Sequence, residues 1–171
     1  ISKQMNVKYE AHSTDYQNLE ELKKLRMNNF KYLKVGPELT YYFTRAILLM
    51  SKIEDKYFKK TSEINQKIFE TLEKKNRFWI DYYPTKNLKK ILYGKFDRLR
   101  YYWNEPIIVK SKKKLYKNIN KLEQKVIFKE LGIKNKTLYS NTYYNDNSKI
   151  IINSFLHKII RKYYKACNYN I

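Results

Sequence analysis

The residues in this sequence with the clearest chemical potential are lysines that recur at intervals of four. Lys113, Lys117, Lys121, Lys125 and Lys129 would lie along one side of a single helix. Like charges at this spacing repel, at a cost of about 0.2–0.5 kcal/mol for each isolated pair. A polyanion beside this face would turn that cost into a gain through counterion release. The spacing therefore predicts phosphate contacts, and a solvated lysine-rich face is the alternative.

Two further clusters of positive charge point to the same chemistry. Lys110 to Lys114 form the run KSKKK at the start of the lysine-bearing segment, where a helix N-terminus would add its own attraction for phosphate. Near the end of the chain, basic side chains at Lys158, Arg161 and Lys165 lie off a stripe of isoleucines, with His157 beside them. Each cluster predicts contact with an anion, and a solvated charged surface is the alternative.

Tyrosines interleave with basic residues in several places. Arg98 and Arg100 directly precede Tyr101 and Tyr102, and exposed rings in such a setting can stack on unpaired bases. Packing of these rings into the core or its rim is the stronger alternative. The complete set of predicted RNA-binding residues is Lys110, Lys112, Lys113, Lys114, Lys117, Lys121, Lys125, Lys129, Arg98, Arg100, Lys158, Arg161 and Lys165.

The sequence offers little that indicates catalysis. It contains no glycine-rich phosphate loop and no nucleophile or zinc-protease motif. Its two histidines and single cysteine are far apart, and the adjacent carboxylates Glu54 and Asp55 would not face one another on a helix. The sequence therefore predicts that the protein is not an enzyme and has no metal, cofactor or small-molecule substrate.

The elements that would position these residues are helices. We expect an all-α fold of five or six amphipathic helices, with little or no strand and with basic loops. Thr14 or Asp15 would cap a helix to about Leu33, Pro37 would lie in the first turn of the next, and Gly132 would end another. The predicted helices are 15–33, a helix from 38 that runs through Phe58, 86–103, 113–131, and a last helix capped by Ser148. Residues 61–63 either continue the helix from 38 or cap a further helix around 64–72. A short extended run is expected at 107–109, and a loop at 133–147.

Charge divides the 171 residues into two parts. Residues 1–83 carry a net charge of +5, and residues 84–171 carry most of the total of +21. We expect a near-balanced helical body at 1–83 and a strongly basic contacting half at 84–171, within one continuous domain. The longest apolar run, Ala46 to Met50, is far too short to span a membrane.

Taken together, these features resemble proteins of mitochondrial ribosomes from very AT-rich protist genomes. The resemblance rests on the abundance of Lys, Asn, Ile and Tyr, on the KSKKK run, and on basic amphipathic helices between 86 and 165. It implies a structural protein of the mitochondrial matrix that binds rRNA mainly through phosphates and contacts neighbouring ribosomal proteins. The alternatives are a soluble accessory subunit of a respiratory complex and an exported helical protein-binding module.

Overall fold

A computed structural model describes residues 7–83, 87–95, 97–133 and 146–168, and these are mostly helical. The prediction of a helical protein is correct in outline, but the described residues also include a two-stranded parallel sheet. The elements in chain order are β1 (Tyr9–Ala11), α1 (Leu19–Met27), β2 (Phe30–Leu33), α2 (Pro37–Tyr57), α3 (Ile64–Lys74), α4 (Leu88–Tyr93), a 3-10 helix (Arg98–Tyr101), α5 (Pro106–Ile119), α6 (Gln124–Glu130) and α7 (Asn147–Ala166).

The first three elements form a β-α-β unit in place of the single helix predicted to reach Leu33. Asn18 starts α1 through a capping box with Glu21, and the chain turns at Asn29, whose φ is +68°. Beyond this turn β2 pairs with β1 in parallel, with Ala11 opposite Leu33. The predicted helix 15–33 is therefore wrong at both ends. It begins at Leu19 because Asn18 caps it, and it ends at Met27 because the residues after the turn pair with β1.

Helix α2 runs through the hydrophobic core. Pro37 lies in its first turn, as predicted, where its missing N–H costs no hydrogen bond. Its apolar face, including Ile47 and Met50, is fully buried. Helices α3, α5 and α7 all pack against α2, so elements from both predicted halves contribute to one core. The functional division at residue 84 stays a prediction.

The helix predicted from 86 to 103 is shorter in the structure. Helix α4 begins after Asn87, whose side chain accepts from the Lys90 N–H at 3.0 Å, and it ends at Gly94. The chain then passes through Asp97, with a φ of +42°, into the 3-10 helix. The continuous helix is therefore wrong, and the predicted cap Thr85 lies outside the described residues.

The predicted helix from Lys113 to Leu131 is two helices. The run at 107–109, predicted as extended, forms the first turn of α5 after Pro106. The chain turns between Ile119 and Gln124, where the Asn120 side chain accepts from the Ser148 N–H at 2.9 Å. Gly132 ends α6 as predicted, with a φ of +66° and a 2.9 Å hydrogen bond from the Ile133 N–H to the Phe128 carbonyl.

Helix α7 confirms the last predicted helix with a different cap. The Asp146 side chain, not that of Ser148, accepts from the Lys149 N–H at 3.1 Å. Ile151 and Ile159 of the predicted stripe are buried, whereas Ile160 is 41% exposed. Of the loop predicted at 133–147, residues 134–145 lie outside the described residues. No helix in the described ranges is long and apolar enough to cross a membrane.

Candidate functional site

The carboxyl ends of β1 and β2 lie side by side, and two loops leave the sheet there. In parallel α/β structures ligands bind in the crevice beyond this end of the strands. The loop at 12–18 follows β1, and residues 34–36 follow β2. The Lys34 N–H donates to the Ala11 carbonyl at 2.9 Å, and the Thr14 hydroxyl donates to the Lys34 carbonyl at 2.9 Å. The two loops are therefore fixed to each other.

The loop after β1 holds two non-glycine residues in the left-handed region. Ser13 has a φ of +56° and Tyr16 has a φ of +64°. Such conformations persist only where surrounding contacts enforce them, and they concentrate at functional sites. The contacts here include the Tyr16 hydroxyl, which donates to the Lys95 carbonyl at 2.5 Å, and the fully buried Thr14.

The start of α2 closes one side of this end of the sheet. One oxygen of Asp15 accepts from the N–H groups of Gly36 and Glu38, at 3.0 and 2.7 Å. The carboxylate thereby satisfies backbone donors that a helix N-terminus leaves unpaired, and its negative charge suits the positive end of the helix dipole. Thr14 or Asp15 was the predicted cap of α1, but Asn18 caps that helix and Asp15 lies at the start of α2.

An ion pair between buried Glu38 and half-buried Lys162 joins this region to α7. The Lys162 ammonium group donates to Glu38 at 2.7 Å and to the Gln17 carbonyl at 2.9 Å. Glu38, which is 3% exposed, also accepts from the Tyr16 N–H at 3.0 Å and from the Tyr163 hydroxyl at 3.3 Å. One carboxylate therefore holds together the β1 loop, the start of α2 and the C-terminal part of α7.

Three exposed ionisable side chains cluster at the same end of the sheet. His12 Nε2 lies 2.7 Å from Glu10 Oε1, and the Lys34 ammonium group lies 3.6 Å from the same oxygen. An imidazole against a carboxylate can exchange protons with a substrate hydroxyl or carbonyl, and a lysine beside it can neutralise an anion. No group of residues suited to a metal ion occurs within the described ranges.

The sequence interpretation missed this cluster because it predicted a helix, and no strand, in this part of the chain. The alternation of Phe30, Lys31 and Tyr32 in β2 is the period-two pattern of a strand, and it lies about twenty residues after a similar short run, VKYEA, at 7–11. Those two patterns were the available indication that His12 and Lys34 follow paired strands.

A basic groove adjoins the site along α7. The groove has a volume of about 430 Å³, and Leu19, the first residue of α1, forms its apolar part. Its polar lining comes from one face of α7, namely Ser154, His157, Lys158, Arg161, Lys162 and Lys165. Three of the predicted RNA-binding residues, Lys158, Arg161 and Lys165, are therefore brought together here, and all three are exposed.

The remaining predicted lysines do not form one continuous row. Lys113 and Lys117 belong to α5, Lys121 lies in the turn, and Lys125 and Lys129 lie on α6. All five are exposed, as are Lys110 and Lys114. Because the helix breaks after Ile119, the argument from one lysine-bearing face fails, and anion contact at these positions stays a prediction.

Lys112 and the two arginines are engaged with aromatic rings. The ammonium group of Lys112 lies 5.5 Å from the centre of the Trp103 ring, and burial lowers the pKa of Lys112. The Arg98 guanidinium lies 3.1 Å from the centre of the Tyr82 ring, and that of Arg100 lies 4.7 Å from the Tyr101 ring. Each of these cations therefore has an aromatic partner, and anion contact at Arg98, Arg100 and Lys112 stays a prediction.

Asp97 is a buried carboxylate beside these arginines. It is 2% exposed, and its Oδ1 accepts from the Thr44 hydroxyl at 3.2 Å. Its Oδ2 has no hydrogen-bond partner among the residues that the structure describes. Burial raises the pKa of Asp97 above its ordinary value, and hydrogen bonds from Thr40 and Thr44 oppose that rise.

The raised pKa of Asp97 predicts a pH-dependent loss of stability. Between the unfolded pKa, about 4, and the higher folded pKa, the native state holds more protons than the unfolded state. Stability from this group is thus present at low pH and lost as pH rises. We expect the free energy of unfolding of wild type, relative to Asp97→Asn, to fall as pH rises from about 4 to 7.

Urea unfolding of both proteins at several pH values measures this difference. Asparagine is a suitable replacement because it also tolerates the left-handed conformation at this position. Parallel pH profiles for the two proteins would contradict the assignment.

Comparisons with known proteins give the family of the chain. A family model described as D-tagatose-1,6-bisphosphate aldolase subunit GatZ/KbaZ-like matches residues 1–168. The D-tagatose-1,6-bisphosphate aldolase subunit GatZ of Klebsiella pneumoniae is 30% identical over 167 residues, which cover 94% of this chain and 39% of the relative. The GatZ subunit of Salmonella paratyphi B is 36% identical over 117 residues, 66% of this chain and 28% of the relative. The chain therefore spans about two fifths of the length of the Klebsiella relative.

A solved structure shares the fold. The crystal structure of a probable tagatose 6 phosphate kinase from Sinorhizobium meliloti superposes with a TM-score of 0.79 at 23% identity. The match covers 97% of this chain and 44% of that chain. At this identity the likeness establishes the architecture alone, and the kinase activity is ascribed only to the Sinorhizobium protein.

These comparisons contradict the functional predictions made from composition. The resemblance to mitochondrial ribosomal proteins is wrong, and with it the expectation of rRNA and ribosomal partners, since the matching family is that of a sugar-bisphosphate aldolase subunit. The same match overturns the alternatives of a respiratory subunit and an exported module, and the prediction that the chain has no enzymatic role or small-molecule substrate. The mitochondrial matrix is contradicted because these relatives are bacterial. Composition misled because AT-rich codons enrich Lys, Asn, Ile and Tyr regardless of function.

Proposed function

Because the chain belongs to the GatZ/KbaZ-like family, we propose that it serves as part of a subunit of a D-tagatose-1,6-bisphosphate aldolase. The observation that carries this proposal is the family match over residues 1–168. The chain corresponds to about two fifths of the Klebsiella relative, so the activity would require the remainder of such a subunit and a second subunit beside it.

The geometry of the sheet supports the proposal that this chain is part of a larger subunit. Parallel sheets in folded proteins are covered on both faces and extend over several strands. Here the sheet has two strands, and Tyr9 and Tyr32 on them are 41% and 58% exposed. Further strands from the rest of such a subunit would pair with the open edges, and its helices would cover these rings.

In this proposal the carboxyl end of the sheet faces the sugar phosphate. Lys34 would neutralise a phosphoryl group, and His12, held by Glu10, would exchange a proton with a hydroxyl or carbonyl of the sugar. The buried contacts of Asp15 and Glu38 would keep the two loops in place while substrate binds. Lys34, His12 and Glu10 are exposed, so each of these three side chains can be removed without disturbing the core.

A chimera tests the proposal. The 167 matched residues of Klebsiella pneumoniae GatZ would be replaced by this chain, and cleavage of D-tagatose-1,6-bisphosphate measured in cells that lack GatZ. We expect activity about tenfold or more above that of GatZ with the segment deleted. A chimera that accumulates to the same level as GatZ but remains at the deletion background would contradict the proposal.

Two lysines, one in β2 and one just after it, test whether the carboxyl end of the sheet faces the substrate. In the chimera, Lys34→Met is expected to lower activity about tenfold, because it removes a charge at the carboxyl end of the sheet. Lys31→Met removes another exposed lysine, from the middle of β2, and should leave activity within about twofold. Equal effects of the two changes would remove Lys34 from the proposed site.

A further inference from the structure

We infer that the groove along α7 binds a phosphoryl group of a phosphorylated sugar, an inference that rests on the proposed function for the identity of the ligand. The groove residues recur on α7 at intervals that place them on one helical face, from Ser154 to Lys165. Lys158 and Lys165 are seven residues apart, about 10 Å along the helix axis. The cations therefore line the groove rather than surround one point.

The charge in this groove is not balanced by the protein. Among the described residues, no carboxylate forms an ion pair with Lys158, Arg161 or Lys165. Glu38 is engaged by Lys162, and at the start of α1 Glu20 lies 3.0 Å from the Lys23 ammonium group while Glu21 accepts from the Asn18 N–H. An anion would therefore find three cations whose mutual repulsion it relieves.

Lys162 lines the groove, but its ammonium group is fixed by hydrogen bonds within the protein. Its ammonium group is held by Glu38 and by the Gln17 carbonyl, so it does not compete for the ligand. Gln17 belongs to the loop that leaves β1, and Leu19 opens α1 directly after it. The groove therefore lies beside the carboxyl end of the sheet, the side on which parallel α/β structures bind ligands.

The mixture of lining groups favours a sugar phosphate over an extended acidic peptide. Arg161 can bind two phosphate oxygens through its planar guanidinium, with Lys158 and Lys165 as point charges on either side. Ser154 and His157 add hydrogen-bonding groups, which suit the hydroxyls of a sugar, and Leu19 supplies an apolar contact. The volume, about 430 Å³, is within the range of small-molecule sites.

Calorimetric titration with D-tagatose-1,6-bisphosphate tests this inference. We expect the variant Lys158→Gln/Arg161→Gln/Lys165→Gln to bind it about tenfold or more weakly than wild type. The matched control is Lys113→Gln/Lys114→Gln/Lys117→Gln, which removes the same charge from exposed lysines of α5 and should bind within about twofold of wild type. Circular dichroism of both variants verifies folding, since all six side chains are exposed.

Two further ligands identify what the groove recognises. Unphosphorylated D-tagatose should not bind, and inorganic phosphate should compete with the bisphosphate at higher concentration. The inference would be overturned if wild type did not bind D-tagatose-1,6-bisphosphate. It would also be overturned if the two triple variants lost affinity equally, because that would show a general effect of positive charge. Because this readout is binding, it is independent of the chimera: a groove that binds while the chimera is inactive would reject only the aldolase role.

Discussion

Replacing Glu38 by alanine is expected to lower the free energy of unfolding by about 3 kcal/mol. Glu38 is buried against Lys162, and its carboxylate also accepts from the Tyr16 N–H and the Tyr163 hydroxyl. Removing the carboxylate leaves the half-buried Lys162 ammonium group without its counter-ion and the Tyr16 N–H without its acceptor. Breaking one side of a buried pair costs more than the pair itself contributes, because the remaining charge stays desolvated.

Urea unfolding measures this effect, and an exposed glutamate supplies the control. Glu20 pairs with Lys23 at 3.0 Å on the surface of α1, and Glu20→Ala should cost less than about 0.5 kcal/mol. The double variant Glu38→Leu/Lys162→Met should recover part of the loss, because no charge is then left unpaired. If Glu38→Ala and Glu20→Ala destabilise equally, Glu38 does not hold the β1 loop, α2 and α7 together.

The contacts of Glu38 show why parts of this fold could be predicted from the sequence and others could not. Pro37 and Gly132 were placed correctly because each acts through its own backbone geometry, which a local pattern reveals. The acceptors and donors around Glu38 come from three separate segments, and no local pattern encodes their meeting. The buried stripe of α7 was partly predicted because its period follows from the helix alone.

The errors have the same physical origin. The break between α5 and α6 is stabilised by Asn120, which accepts from Ser148 in a distant part of the chain, so the regular spacing of the lysines does not indicate it. The two strands were missed because each is three or four residues long and exists only through pairing with the other. The site at their carboxyl ends, with His12 and Lys34, was missed for the same reason.

The functional error came from treating composition as a property of a site. A net charge of +21 constrains solubility and general attraction to anions, but it does not select one partner. The cluster on α7 was located correctly as basic residues on one helical face, although its proposed ligand differs from the one first expected. Function follows from which side chains converge, and α7 illustrates this because Lys162, at the centre of that face, is bound internally and does not reach a ligand.

Replacing Glu54 is expected to have the second large effect on the free energy of unfolding, and no sequence pattern indicates that this residue is buried. Glu54 and Asp55 are adjacent on α2, but Glu54 is fully buried and Asp55 is exposed. The Glu54 carboxylate accepts from the Ser62 hydroxyl at 2.5 Å and from the Asn118 amide at 2.6 Å. It therefore fixes the segment before α3 and the end of α5 to α2, through hydrogen bonds alone.

Glu54→Ala is expected to lower the free energy of unfolding by about 3 kcal/mol, because two buried donors then lose their acceptor at about 1–3 kcal/mol each. Asp55→Ala changes the same charge one residue along and should cost less than about 0.5 kcal/mol. The loss of unfolding free energy in Glu54→Gln should fall between those of the two alanine variants, since the amide keeps one acceptor oxygen and the side-chain volume. Equal stabilities of Glu54→Ala and Asp55→Ala in urea unfolding would show that these hydrogen bonds do not join α2 to α5. The ranking of the three variants thus separates loss of buried hydrogen bonds from loss of a negative charge on a strongly basic chain.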